Sequence, residues 1–182
     1  MKLILASNSP RRRELLSQLN YPFEAISPDC DEQDDATTPE NLVKDLAFRK
    51  AMTVHVDHRD DAIIGCDTVV DLDGEVLGKP KDRQDAVNML TRLSGRTHKV
   101  HTGLFVICGV RMWLLCETTS VTFRPLTTDE ITAYVNSGSP MDKAGAYGIQ
   151  DTDFVTNIDG SYNNVMGLPT ERLKKILESV MR

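Results

Sequence analysis

Three arginines crowd the predicted start of a helix near the beginning of the chain. A short apolar run is typical of a buried strand, and leucines at helical spacing follow it after a tight turn. Ser9 is a good helix N-cap, and Pro10 suits the first helical position. The first turn then carries Arg11, Arg12 and Arg13. Cations are disfavoured there, so the pattern favours an anion site for phosphate or carboxylate. The alternative is a solvated helix start whose arginines pair with surface acids.

Asp67 is the best candidate for a catalytic residue. It interrupts an apolar run at 62–70 that is typical of a central strand covered on both faces. A carboxylate is costly to bury without a partner. We expect Asp67 to stand at the end of this strand, facing the crevice where open α/β sheets bind ligands. The alternative is a structural aspartate that accepts backbone hydrogen bonds at a strand end.

Further acids and two lysines have the chemistry of a phosphate site. The turn-rich stretch 27–39 is acidic, and its acids are Asp29, Asp31, Glu32, Asp34 and Asp35. Two carboxylates brought together could hold Mg²⁺ bridged to a substrate phosphate, whereas a solvated acidic loop is the simpler interpretation. Lys79 and Lys50 could neutralise phosphate charge. Lys50 lies beside the apolar stripe of a predicted helix, so it either snorkels to the rim or points its ammonium into a pocket.

Several other chemistries lack their sequence patterns. The chain has neither a G-x-x-x-x-G-K-[ST] phosphate loop nor a G-x-S-x-G nucleophile turn. Its four cysteines show no C-x-x-C pairing, and its four histidines form no zinc-protease motif. His98 and His101 are three residues apart on a probable strand, so we expect them to point to opposite faces.

Composition predicts an ordinary globular protein. The 182 residues suit a single domain, 1–182, with 40% hydrophobic and 26% charged residues. The net charge of −6 argues against non-specific binding to nucleic acid or membranes, and no stretch is long and apolar enough for a membrane span. Without a secretory signal pattern or a disulfide pattern, the expected location is the cytoplasm.

These candidates must be positioned by a mixed α/β arrangement with a long antiparallel part in the middle. Periodicity and turn signals predict strands at 3–6, 21–26, 62–70, 75–77, 97–107, 112–123 and 154–158. Caps and apolar stripes predict helices starting at Pro10, from Pro39 to about Val54, from Asp82 to Leu93, from Thr127 to Asn136 and from Pro169 to Met181. We expect residues 143–150, which are rich in glycine, to form a loop or a short helix.

Six segments in a fixed order resemble the Maf family of nucleoside triphosphate pyrophosphatases. They are Leu3–Arg12, Gly65–Val70, Leu77–Pro80, Leu93–His98, Met141–Gln150 and Val165–Pro169, and they span nearly the whole chain. The resemblance implies a mixed, partly antiparallel twisted sheet flanked by helices, with two lobes around a cleft. That fold is related to the inosine triphosphate pyrophosphatases.

The resemblance also implies an activity and a set of site residues. Maf enzymes hydrolyse a nucleoside triphosphate to the monophosphate and pyrophosphate with a divalent cation, Mg²⁺ or Mn²⁺. Asp67 matches their proposed proton acceptor, although the residues alone do not decide between a base and a metal ligand beside Glu32. The polar cleft positions of the family match Ser7, Arg11, Arg12, Glu32, Lys50 and Lys79. Arg12, Thr68 and Gln150 match the positions tied to substrate choice.

The residues at 67–68 and 146–150 resemble those of the Maf branch that acts on dTTP and UTP. The branch that acts on 7-methyl-GTP has different residues there. One departure is the segment 151–153, Asp-Thr-Asp, where the family usually has a glycine-containing loop about two residues longer. It leaves the base preference open. The alternatives are a pyrophosphatase for modified or non-standard nucleotides and a nucleotide-binding regulator of septum formation. A homodimer is expected from the family likeness.

Overall fold

The computed structural model describes residues 1–33, 35–36 and 38–181; Asp34 of the acidic stretch lies outside them. The strands are β1 (Leu3–Ala6), β2 (Glu24–Ile26), β3 (Ala62–Leu72), β4 (Glu75–Leu77), β5 (Thr97–Cys108), β6 (Arg111–Phe123) and β7 (Val155–Asp159). The α-helices are α1 (Pro10–Ser17), α2 (Pro39–His55), α3 (Arg83–Leu93), α4 (Thr128–Asn136), α5 (Tyr162–Met166) and α6 (Thr170–Val180). Short 3₁₀ turns at Ser139–Asp142 and Ala144–Ala146 connect α4 to β7.

All seven strands belong to one mixed sheet. Its order is β2-β1-β3-β5-β6-β7, and β4 pairs with β3 outside this path. β1 runs parallel to β2 and to β3, whereas the other pairs are antiparallel. The predicted mixed, partly antiparallel α/β fold is therefore confirmed, including the long hairpin of β5 and β6.

Most helix starts follow local signals in the sequence. The side chain of Ser9 accepts a hydrogen bond from the backbone of Arg12, and Pro10 is the first residue of α1. Thr127 and Glu130 form the predicted capping box of α4. The short helix α5 was not predicted, because five residues are too few to show a helical repeat. β2 begins only at Glu24, after Pro22, which cannot donate to a ladder.

The apolar core surrounds the sheet on both faces and at both ends. One cluster joins the end of β3 to α3 and α4, with Leu72, Leu90 and Phe123 in its interior. The clusters at the other end pack α1 and α6 on one face of β1, β3 and β5, and α2 on the opposite face. These two ends are the lobes between which the cleft opens.

The edge of β3 contains a gap in strand pairing. β1 pairs with residues 62–65 of β3, and β4 pairs with residues 70–72 on the same edge. Residues 66–69 have no strand partner on this edge among the described residues. Asp67 lies here, in the middle of β3, so the prediction that it stands at a strand end was wrong. It still reaches a crevice, because β1 stops at Ala6, opposite Gly65.

Two glycines let α2 lie unusually close to the sheet. A Cβ atom at Gly65 would come within 2.1 Å of the carbonyl oxygen of Ala47, and one at Gly103 within 2.0 Å of that of Val43. Any side chain at either position would push the helix away. The close approach brings Lys50, on the inner face of α2, over the gap in β3.

Candidate active site

The gap in β3 opens into a cleft of about 590 Å³ between the two lobes. Its lining contains all nine predicted site residues: Ser7, Arg11, Arg12, Glu32, Lys50, Asp67, Thr68, Lys79 and Gln150. Residues from six separate parts of the chain thus meet at one place. Arg13, the third arginine of α1, is exposed and outside this lining.

Lys50 connects the two carboxylates on one face of β3. Its ammonium Nζ lies 2.6 Å from Asp67 Oδ1 and 2.9 Å from Glu32 Oε1. Lys50 and Asp67 are only 8% and 9% exposed. Of the two orientations considered for Lys50, the structure has the one with the ammonium turned into the cleft.

These contacts favour the charged forms of Lys50 and Glu32. Burial favours neutral Lys50, but the attraction of Asp67 and the hydrogen bonds to both carboxylates outweigh it and raise the pKa of Lys50. Partial burial raises the pKa of Glu32, yet the hydrogen bond and charge of Lys50 prevail and hold that pKa below its usual value. The pair of Lys50 and Glu32 therefore stays charged at neutral pH.

The carboxylates of Glu32 and Asp67 each give Lys50 one oxygen and leave the other for a further ligand. The described residues contain no group of three or more histidine, cysteine or acidic side chains placed to hold a metal. Mg²⁺ commonly binds through one or two carboxylates, with phosphates and water completing its shell. This donor set fits a cation shared with a bound phosphate, not one held by protein alone.

Arg12 crosses the opposite face of β3. Its Nε donates to the carbonyl of Gly167 at 2.7 Å, and its Nη2 donates to Thr68 Oγ1 at 3.0 Å. A third, longer hydrogen bond of 3.4 Å reaches the hydroxyl of Ser7. The guanidinium is thus fixed by neutral acceptors, and among the described residues no acidic side chain neutralises its charge.

Arg11 behaves differently, because it pairs with a surface acid. Its Nη1 lies 3.1 Å from Asp142 Oδ2, and the side chain of Asp142 is 61% exposed. The two arginines therefore differ: Arg11 has an acidic partner, whereas the hydrogen-bond acceptors of Arg12 among the described residues are neutral.

Sequence reasoning missed Lys143 and its partners at the far wall of the cleft. The buried Lys143 ammonium donates to the carbonyl of Ser139 at 2.5 Å and to Asp142 at 2.9 Å. It also lies 3.3 Å from Asp151, whose carboxylate accepts a 2.7 Å hydrogen bond from Ser139. The acidic residue that departs from the family pattern thus ties down the loop carrying Gln150. A lysine inside a glycine-rich segment was the available signal.

The predicted opposite orientation of the two strand histidines is confirmed. His98 bonds to Tyr147 at 2.7 Å in one lobe, and burial lowers the pKa of His98 to about 4. His101 contacts Asp71 and Thr118 instead.

Among the described residues, the helices are too short or too polar to pass through a bilayer.

Comparison with solved structures identifies the type of fold. The solved structure of the Staphylococcus aureus Ham1 protein matches 98% of this chain and 99% of its own, with a TM-score of 0.55 and 16% sequence identity. This likeness defines an α/β protein with the Ham1 type of fold.

Sequence comparison then identifies the family. The model of the Maf-like protein family matches residues 2–180, and the chain belongs to this family. A "dTTP/UTP pyrophosphatase" of Symbiobacterium thermophilum is 49% identical over 179 residues, which cover 97% of this chain and 92% of the relative. A protein of the same name from Aquifex aeolicus is 45% identical over 182 residues, covering 99% and 96%.

Proposed function

We propose that this protein hydrolyses dTTP and UTP to the nucleoside monophosphate and pyrophosphate. The observation that carries the proposal is the convergence of Asp67, Lys50 and Arg12 on one cleft. The fixed Arg12 guanidinium suits a triphosphate, and the Asp67 carboxylate held by Lys50 suits water activation. The names of the relatives from S. thermophilum and A. aeolicus support this substrate class.

Asp67 would act as the base in this reaction. Water attacks the α-phosphorus, the bond to the β-phosphate oxygen breaks, and a carboxylate accepts the proton. Lys50 holds Asp67 in place through the 2.6 Å hydrogen bond. Arg11, Arg12 and Lys79 would stabilise the negative charge that develops on the leaving pyrophosphate.

We propose Mg²⁺ or Mn²⁺ as the cofactor, held by the free oxygens of Glu32 and Asp67. When bound, such an ion polarises phosphoryl oxygens and lowers the pKa of a coordinated water. The described carboxylates fit this role only together with substrate phosphates, so we expect the metal to bind weakly without nucleotide. Titration calorimetry with Mn²⁺, with and without a non-hydrolysable nucleotide, tests this directly.

Arg12, Thr68 and Gln150 would select the base. The amide of Gln150 can both donate and accept, which matches the mixed edge of a pyrimidine. The exposed position of Gln150 at the mouth of the cleft leaves its amide accessible to a ligand.

The cytoplasmic location and the homodimer stay predictions. Light scattering of the purified protein measures its oligomeric state.

The decisive experiment is pyrophosphate release from a panel of nucleotides. The panel contains dTTP, UTP, CTP, the purine triphosphates, 7-methyl-GTP and inosine triphosphate, each with Mg²⁺, Mn²⁺ or EDTA. We expect metal-dependent turnover led by dTTP and UTP. Turnover led by another nucleotide would keep the reaction and refute the substrate choice. No turnover at all would favour a nucleotide-binding regulator.

A further inference from the structure

A chain of hydrogen bonds leads from the cleft into the interior on the Arg12 face of β3. Arg12 Nη2 donates to Thr68 Oγ1 at 3.0 Å. Thr68 Oγ1 lies 2.9 Å from Thr102 Oγ1, on the neighbouring strand β5. Thr102, which is fully buried, lies 3.1 Å from the backbone carbonyl of Asn164. Four residues from four different elements thus share three consecutive contacts.

The direction of every hydrogen bond in this chain is fixed. The carbonyl of Asn164 can only accept, so Thr102 spends its single proton there. Thr102 must then accept from Thr68, which spends its own proton in turn. Arg12 has no acceptor at all, so it can only donate to Thr68. A hydroxyl has two lone pairs and one proton, so Thr68 keeps one lone pair and no proton for a ligand.

The neighbourhood of Thr68 leaves space for a ligand at this lone pair. Thr68 is half-buried and lines the cleft. Beside it, Gly167 has a φ of +112°, and a Cβ atom there would lie 3.5 Å from both Thr68 Oγ1 and Arg12 Nε. A longer side chain at 167 would extend over both groups, so glycine keeps the hydroxyl uncovered.

We propose that Thr102 is a positioning residue that makes Thr68 an obligate hydrogen-bond acceptor for an N–H group of the nucleotide base. The proposal deepens the proposed function and rests on it for the kind of substrate. An ionised phosphate oxygen carries no hydrogen to donate, so it cannot form a hydrogen bond with the Thr68 lone pair. A base N–H is the complementary partner.

The fixed direction explains a preference for uracil and thymine over cytosine. The ring nitrogen N3 carries a hydrogen in uracil and thymine and is a bare acceptor in cytosine. With cytosine, two acceptors would face each other, and an unpaired buried polar group is costly. A ribose hydroxyl would not discriminate, because it can turn to donate or accept.

Thr102→Val is the test, because valine keeps the shape of threonine and removes its hydroxyl. Thr68 then loses its internal acceptor and can turn its proton toward the ligand. We expect the affinity ratio of α,β-imido-UTP to α,β-imido-CTP, measured by calorimetry with Mg²⁺, to fall about tenfold, the effect of one hydrogen bond. Thr102→Ser, which keeps the hydroxyl, should retain the wild-type ratio.

Thr119→Val controls for damage to packing. Thr119 is equally buried and bonds to the side chain of Asn164 at 2.9 Å, without contacting Thr68. It should lower stability and leave the base ratio unchanged. An equal loss of both affinities in Thr102→Val, or a ratio that does not move, would overturn the proposal.

The binding assay separates this inference from the proposed function. A UTP preference in the wild type that Thr102→Val abolishes supports the inference even if the protein releases no pyrophosphate from any nucleotide. Pyrophosphate release with an unaltered ratio in Thr102→Val would support the enzyme and refute the role of Thr102.

Discussion

The two faces of β3 hold the same cleft by different means. Asp67 and Thr68 are consecutive, so their side chains point to opposite faces, and the gap in strand pairing lets both reach the ligand space. The Asp67 face is a set of charges joined through Lys50. The Thr68 face is a directed series of hydrogen bonds that ends on a backbone carbonyl. Charge suits the reaction, and direction suits the choice of substrate.

The charged Asp67 face and the hydrogen-bonded Thr68 face should respond differently to substitution. Coulombic attraction acts over several ångströms and tolerates small shifts, whereas a hydrogen bond needs its proton on one particular side. Changes on the Asp67 face should therefore act on rate and on pH dependence. Changes on the Thr68 face should act on the ratio between nucleotides.

The largest expected effect is on the charged face. Asp67→Asn removes the proton acceptor while keeping the size of the side chain, so kcat with UTP should fall about 10²–10⁴-fold, the usual share of general base catalysis. Steady-state pyrophosphate release measures it, and circular dichroism checks the fold. Asp60→Asn, at an exposed position outside the cleft lining, is the matched control and should keep the wild-type kcat. A near-normal rate in Asp67→Asn would remove Asp67 from the mechanism.

The next prediction tests whether a shift of α2 changes the Asp67 face of β3 without changing the Thr68 face. Gly103→Ala places a methyl group against the carbonyl of Val43 and pushes α2 from the sheet. We expect a loss of about 1–3 kcal/mol in the free energy of unfolding, as for other overpacked sites, and a lower kcat because Lys50 moves with α2.

Gly78→Ala is the control for this substitution, since a Cβ atom at Gly78 meets no atom within 4 Å. Urea unfolding measures stability, and the UTP to CTP ratio of kcat/KM measures the other face. A Gly103→Ala protein with a changed ratio and an unchanged kcat would contradict the separation.

Local signals in the sequence predicted most elements, and the site residues predicted from chemistry and from the family resemblance line one cleft. Pro10, Thr127 and the apolar stripe of α2 act within one helical turn, so they can be recognised without tertiary structure. The gap in β3 could not be predicted, because it depends on where β1 ends against a strand about 60 residues away. The contact of Arg12 with Gly167 joins residues 155 positions apart, and no local pattern indicates it.

A moderate effect is expected for Gln150, at the mouth of the cleft. Gln150→Ala should raise KM for dTTP and UTP about tenfold and lower kcat less, because an amide that contacts only the base contributes binding in the ground state and the transition state alike. The measurement is a full kinetic profile with dTTP, UTP and CTP. Gln33→Ala, outside the lining of the cleft, is the control. An unchanged preference would refute the role of Gln150 and leave base selection to Thr68.

The smallest expected effect is a difference between the two faces in how the cost of a substitution to protein stability depends on pH. The pKa of Glu32 is lower in the folded protein than its usual value of 4.5, so its stabilisation is complete above that pH and is lost as the pH falls through the folded pKa. Glu32→Gln should cost about 0.2–1 kcal/mol at pH 7, because the Glu32 side chain is largely exposed, and less at pH 3. Thr68→Val should lower stability equally at both values, since its hydrogen bonds involve no titrating group in this range. Urea unfolding of both variants at pH 7 and pH 3 makes the comparison. A Glu32→Gln cost that stays constant with pH would mean that the pair with Lys50 contributes nothing to the fold and serves the substrate alone.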